Sequence, residues 1–235
     1  MRKISEVGKY FTLIVLFCGL QVCFAQTAVV RKNKISAFVT EKYNTVITAD
    51  KQIKQGQYQA FYKNKVVIAQ GSYKDDKRIG LWRFFNKTQQ LTQVYNYDAG
   101  KLLFELPEEE RSNFKYIIDK VVNDSVTITK PYKIGGRYFG YLPYLKFFTM
   151  PEDLRGEAYE KIAVEMELFI SPMGRVADFK FRIKAPFYSA TINIDPNILL
   201  TEDKIFTPAT YNKEPISSRI VVNCYINNRG EPDMD

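Results

Sequence analysis

Acid–base chemistry has few instruments in a chain of 235 residues without a single histidine. Lacking imidazole, it has no Ser–His or Cys–His pair, no histidine metal ligand and no ordinary general base near neutral pH. What remains is carboxylate chemistry of the glycosidase kind, in which two Asp or Glu side chains flank the scissile bond. Glu157, Glu160, Asp195 and Asp203 are the candidates, and no motif pairs them. Glu165 falls opposite Lys180 in a hairpin register and reads as a cross-strand ion pair worth about 0.2–1 kcal/mol. Cys224 shares one strand face with Ile220, Val222 and Ile226 and reads as packing. With three cysteines in the whole chain and no Gly-rich phosphate loop, the sequence carries no metal or cofactor signature. These residues point away from catalysis and towards binding.

The elements that position them begin with a leader. Arg2, Lys3 and Lys9 precede an apolar run from Tyr10 to Phe24, and small residues at Cys23 and Ala25 fit a signal-peptidase site. Residues 1–25 are therefore predicted to be a signal peptide cleaved after Ala25, the alternative being an uncleaved anchor. A bacterial lipid anchor is disfavoured, because Phe17 and Val22 stand where lipoprotein processing wants a small residue. Cleavage would remove three basic residues and one acidic one, leaving 34 − 3 = 31 Lys+Arg against 26 − 1 = 25 Asp+Glu. That surplus admits an anionic membrane surface as a partner. Its dispersal along strands argues against nucleic acid. Cys224 would be the lone remaining cysteine, so no internal disulfide is expected and the fold must stand on its core.

Between Gly56 and Lys101 the chain repeats with a shift of 80 − 56 = 24 residues. Gly56 overlays Gly80, Tyr58 overlays Trp82, Phe61 overlays Phe85, Tyr73 overlays Tyr97 and Lys77 overlays Lys101. Each unit reads as an aromatic strand, a polar turn, a second strand and a tight turn at Asp75-Asp76-Lys77 or Asp98-Ala99-Gly100. A worn earlier unit begins near Thr27. Such a period signals hairpins that bury one another's aromatics, here Tyr58, Tyr73, Trp82, Phe85 and Tyr97. The pattern resembles MORN-type repeats in their bacterial hairpin form, a resemblance that implies a surface for lipids or partner proteins. The array is expected to span 27–105 and either to include the worn unit or to lean on the C-terminal half of the chain.

Leu106-Pro107-Glu108-Glu109-Glu110-Arg111 breaks the repeat, and 106–130 is predicted to hold a linker and connecting strands. From Pro131 the order is a Gly-Gly segment, an aromatic stretch over 138–147 expected to be helical, and a hairpin turning at Ser171-Pro172-Met173-Gly174. Closing that turn places Leu168 opposite Ala177, Met166 opposite Phe179 and Val164 opposite Phe181, all six facing one core. Asp195-Pro196 then caps a second short helix, succeeded by Phe206-x-Pro208-Ala209, a Pro215-Ile216 turn and a last strand. This order, over 131–228, resembles the C-terminal domain of TonB; 229–235 is a tail. The expected fold is mainly β with a C-terminal α+β domain: a hairpin array, then a small antiparallel sheet packed against two helices.

The TonB-like resemblance implies capture of an extended segment by strand addition at an exposed sheet edge. By that analogy the edge is the last strand, with Arg219, Val221, Asn223 and Tyr225 as candidate partner-binding residues. The expectation is an exported protein, periplasmic or at the surface of a Gram-negative cell envelope, acting as a non-catalytic adaptor for an envelope or outer-membrane protein segment. A structural component that assembles as a homo-oligomer is the alternative, and a carboxylate-based hydrolase comes third.

Overall fold

Alternation of apolar and polar residues dominates the chain, and the computed structural model, which describes residues 28–48, 51–109, 111–120 and 126–234, turns it into antiparallel sheet. The predicted signal peptide lies outside the described residues. Seven strands form the first sheet: β1 (Val29–Lys34), β2 (Val39–Thr48), β3 (Lys51–Tyr62), β4 (Val66–Lys74), β5 (Lys77–Phe85), β6 (Leu91–Asn96) and β7 (Lys101–Glu105). Each pairs with its neighbour in the chain, so the worn unit joins the array.

Local chemistry explains the meander. Lys63-Asn64 and Asp75-Asp76 both take positive φ, the conformation a two-residue hairpin turn of the right twist requires. Gly56 and Gly80, which open the repeat units, sit at φ +88° and +62° within strands, where a side chain would be strained. Gly71 serves differently: a Cβ there would lie 2.3 Å from the indole of Trp82, so its absence gives the ring its seat. Trp82 is fully buried and meets Tyr58, Tyr73, Tyr97 and Phe84 at ring-centroid distances of 5.1, 5.2, 5.8 and 6.1 Å. Such contacts add about 0.5–1.5 kcal/mol each beyond burial. One expected aromatic is displaced. Phe84 is buried and Phe85 only half-buried, because alternation from Trp82 turns Phe84 inward before a bulge between the two.

Beyond the meander come β8 (Phe114–Ile117), β9 (Ile128–Thr129), the helix α1 (Leu142–Leu145), β10 (Ala163–Ile170), β11 (Val176–Ala185), β12 (Tyr188–Ile194), β13 (Ala209–Tyr211), β14 (Glu214–Ile216), β15 (Ser218–Ile226) and β16 (Pro232–Asp233). The second sheet runs β12-β11-β10-β15-β16, with β8 also on β15, and a small third sheet runs β14-β13-β9. The expected connecting strands of 106–130 are thus β8 and β9, both absorbed into C-terminal sheets. Met234, in the predicted tail, is fully buried.

Two expectations fail here for identifiable reasons. The β10–β11 hairpin is shifted by two residues, with Leu168 opposite Phe179 and Met166 opposite Phe181, because the loop closes at Ile170 and Val176 and a bulge comes next. A two-residue shift preserves faces, so Val164, Met166, Leu168, Ile170, Phe179, Phe181 and Ile183 all reach the core, while Val176 replaces Ala177. Glu165 consequently faces Arg182, and Lys180 faces Glu167. The second failure is the pair of helices. The aromatic stretch gives one 3-10 turn, Phe139–Tyr141, and the four residues of α1. Asp195 caps a single 3-10 turn, Pro196–Ile198, by accepting from the Asn197 amide at 2.9 Å, and Leu199 is already extended.

Segment 131–148 sits between the two large sheets. Gln93 of β6 donates to the Lys133 carbonyl at 3.0 Å and accepts from the Gly135 and Gly136 amides at 2.8 and 3.0 Å. Phe139 stacks on Phe84 at 5.9 Å, while Tyr144 and Phe148 meet Phe179 and Phe181 at 5.6 and 5.4 Å. One hydrophobic core therefore runs through both halves.

Candidate functional site

The residues expected to form the binding edge lie in the interior of a sheet. Along one side β15 pairs with β10, from Val164 opposite Cys224 to Ile170 opposite Ser218. Along its other side Arg219 to Val222 pair with β8, and Tyr225 and Ile226 with β16. The Asn223 amide, between them, donates to the Asn113 carbonyl at 2.9 Å. Arg219 is further tied to Asp119 at 2.9 Å, Tyr225 donates to Asp233 at 2.8 Å, and Val221 is buried. Main-chain capture at Arg219, Val221, Asn223 and Tyr225 is therefore overturned: β8, taken in sequence as part of a linker, already occupies that edge.

A longer free edge lies at the other end of the sheet, since β8 and β16 are short. Among the described residues β12 pairs only with β11, in register from Ala185–Tyr188 to Phe179–Ile194 without a bulge. Tyr188, Ala190, Ile192 and Ile194 lean inward and are half-buried, whereas Ser189, Thr191 and Asn193 are exposed. The strand carries no charge, no proline and no bulge, the usual devices that blunt an edge. Phe187, in the turn that opens it, is fully exposed. By contrast β1, at an edge of the first sheet, carries Arg31, Lys32 and Lys34.

The carboxylates considered for hydrolysis are scattered. Glu157, Glu160 and Asp195 are exposed. Asp203 is buried and pairs with buried Lys133 at 3.7 Å. Desolvation raises the Asp203 pKa and lowers Lys133 to about 8. Lys133 also donates to the Glu202 carbonyl at 3.0 Å and lies 5.1 Å above the Phe206 ring.

Asp203 does line a cleft of about 460 Å³ together with Asp233. Both acids are engaged: Asp233 accepts from Tyr138 at 3.1 Å and from Tyr225 at 2.8 Å, and Lys87 lies 3.6 Å away. The Lys87 ammonium also sits 5.0–5.4 Å from the rings of Tyr62, Tyr138 and Tyr225. That arrangement latches the β5–β6 turn of one sheet to the end of the other. Glu167, buried in β10, is similarly held by Lys180 at 3.5 Å and by Arg182.

Among the described residues no three His, Cys, Asp or Glu side chains gather as metal ligands would, and no helix is long and apolar enough to cross a membrane. Burial raises the Cys224 thiol to about 12, which leaves it unreactive at neutral pH. No model of a known protein family matches the chain, and no curated protein does either. The MORN-like and TonB-like resemblances rest on the residues quoted for them.

Proposed function

We propose that this chain is an exported, non-catalytic binding module of the cell envelope, which captures an extended segment of an envelope protein by strand addition at β12. The supporting observation is the edge itself: seven uncharged residues in unbroken register, with one neighbour and an exposed Phe187 beside them. An incoming strand would gain main-chain hydrogen bonds there, and side-chain complementarity would set its specificity. Export is supported by the leader-like pattern of residues 1–25, and the engagement of Asp203, Asp233 and Glu167 by internal partners favours binding over acid–base catalysis.

The test is a photoreactive residue at Asn193 in the intact chain, irradiated with envelope fractions. Recovery of one specific envelope protein is the expected result. Proline tests the geometry at Ala190 and at Thr191, because consecutive amides of a strand point to opposite sides. Whichever of the two variants keeps the fold has lost only an outward donor, and in it the crosslink should vanish. Crosslinks to a second copy alone would replace the adaptor reading with self-assembly, and none at all would remove the role of this edge.

A further inference from the structure

A second cleft, of about 590 Å³, opens between the first sheet and the loop after β12, away from that edge strand. Four cations line it: Lys54, Lys77, Arg78 and Lys133. Lys133 pairs with Asp203, and Lys54 lies 3.9 Å from Glu41. Lys77 is exposed, in the hairpin next to Asp76. Arg78 differs from all three. Its Nε donates to the Tyr73 hydroxyl at 3.2 Å and its Nη1 to the Tyr97 hydroxyl at 2.9 Å, and among the described residues no carboxylate pairs with it. The guanidinium lies 4.9 Å from the centre of the Trp82 ring.

A guanidinium has five N–H donors in one plane, and two neutral hydroxyls use only part of that fork. We infer that this cleft is a binding site for a small organic carboxylate, with Arg78 as the residue that receives the anionic group and Tyr73 and Tyr97 as the groups that orient it. The size of the cleft suits a small molecule. Of the four cations, Arg78 is the one that the protein holds in place without a carboxylate partner among the described residues, and it matches one negative charge. Glu202 and Asp76 line the same cleft, and their repulsion disfavours a dianion such as a phosphate monoester. This site does not depend on the strand-addition reading and can fail or hold separately from it.

Trp82 is the sole tryptophan, so its emission reports on the neighbouring guanidinium. The intact protein is titrated at constant ionic strength with acetate and with glucuronate. Neutral glucose and glucose 6-phosphate serve as comparisons. Both carboxylates should shift Trp82 emission to saturation, glucose should not, and glucose 6-phosphate should bind more weakly than glucuronate. Arg78→Lys keeps the charge but loses the fork, and should weaken glucuronate about tenfold. Glu202→Gln leaves Arg78 untouched and should tighten it several-fold, so the proposal stays testable even if Arg78→Lys misfolds. No saturable shift with either carboxylate, an unchanged midpoint in Glu202→Gln or in a folded Arg78→Lys protein, or tighter binding of the phosphate ester would each overturn the site.

Discussion

In the first sheet every strand pairs with the strand next to it in the chain, whereas in the second β15 lies between β10 and β8, and Arg219 meets Ile117, 219 − 117 = 102 residues earlier. The cores differ as well. Rings of Tyr58, Tyr73, Trp82 and Phe84 fill the first, and aliphatic Val164, Leu168, Ile170, Ile220 and Val222 dominate the second, with Phe179 and Phe181 among them. Local pairing with a repeated aromatic makes an array that can be extended unit by unit. Distant pairing closes a sheet only when separate segments are brought together. The shared core through Phe139 and Tyr144 makes the two halves one cooperative structure, so a lesion in either half should be felt in the other.

Trp82→Ala should do the most damage, destabilising by about 3–5 kcal/mol because it empties the centre of the aromatic face. If the halves are coupled, urea unfolding monitored by near-ultraviolet circular dichroism keeps one transition at a lower midpoint. Two separated transitions, with the later one unmoved, would mean that the second sheet stands alone. Lys87→Ala comes next at about 3 kcal/mol, since it leaves buried Asp233 without its cation; its signature is earlier separation of the two halves.

Smaller again is the effect of pH. Lys133 titrates near 8 in the folded chain against 10.5 when free, so between about pH 8 and 10 the unfolded state binds more protons and stability rises with pH. The gain is on the order of 2 kcal/mol. The groups around this amine are Asp203, Glu202 and Arg78, and replacing the pair by Lys133→Met with Asp203→Asn should abolish the rise. Above about pH 10 the sign reverses. Burial holds the Tyr58, Tyr116, Tyr138 and Tyr141 hydroxyls above their ordinary value, so there the native state keeps protons that the unfolded state loses. Denaturant midpoints across this range check both limbs. The exposed Glu152–Arg155 pair marks the floor: Arg155→Ala should change stability by less than about 0.5 kcal/mol.

How far the sequence could be read obeys the same division. The hairpin array was legible because its information is local: glycines at Gly56 and Gly80, turns at Asp75-Asp76, and aromatics at a fixed spacing. The faces of β10 and β11 were legible from alternation, but their register was not, because a bulge near the turn leaves no mark on a period of two. The edge was misplaced at Arg219–Ile226 because nothing in Phe114–Ile117 announces a partner a hundred residues away. Buried Lys133, Glu167 and Asp233 look in sequence like any surface charge, and only tertiary pairing separates them. Arg78 had a visible sign, lying within the repeat unit between the overlaid Tyr73 and Tyr97, although pattern alone does not bring the three together.

The partnership of β8 with β15 has a consequence for the order of assembly. As the chain emerges, from a ribosome or a translocation channel, each hairpin of the array can close as soon as it appears, since its partner is the segment just delivered. Phe114–Ile117 cannot, because its partner strand arrives about a hundred residues later. Until then this short strand, with Phe114 destined for the core, waits with an open side. Slow delivery of Ser218–Ile226 would therefore hold the protein with its first sheet formed and its second sheet unclosed.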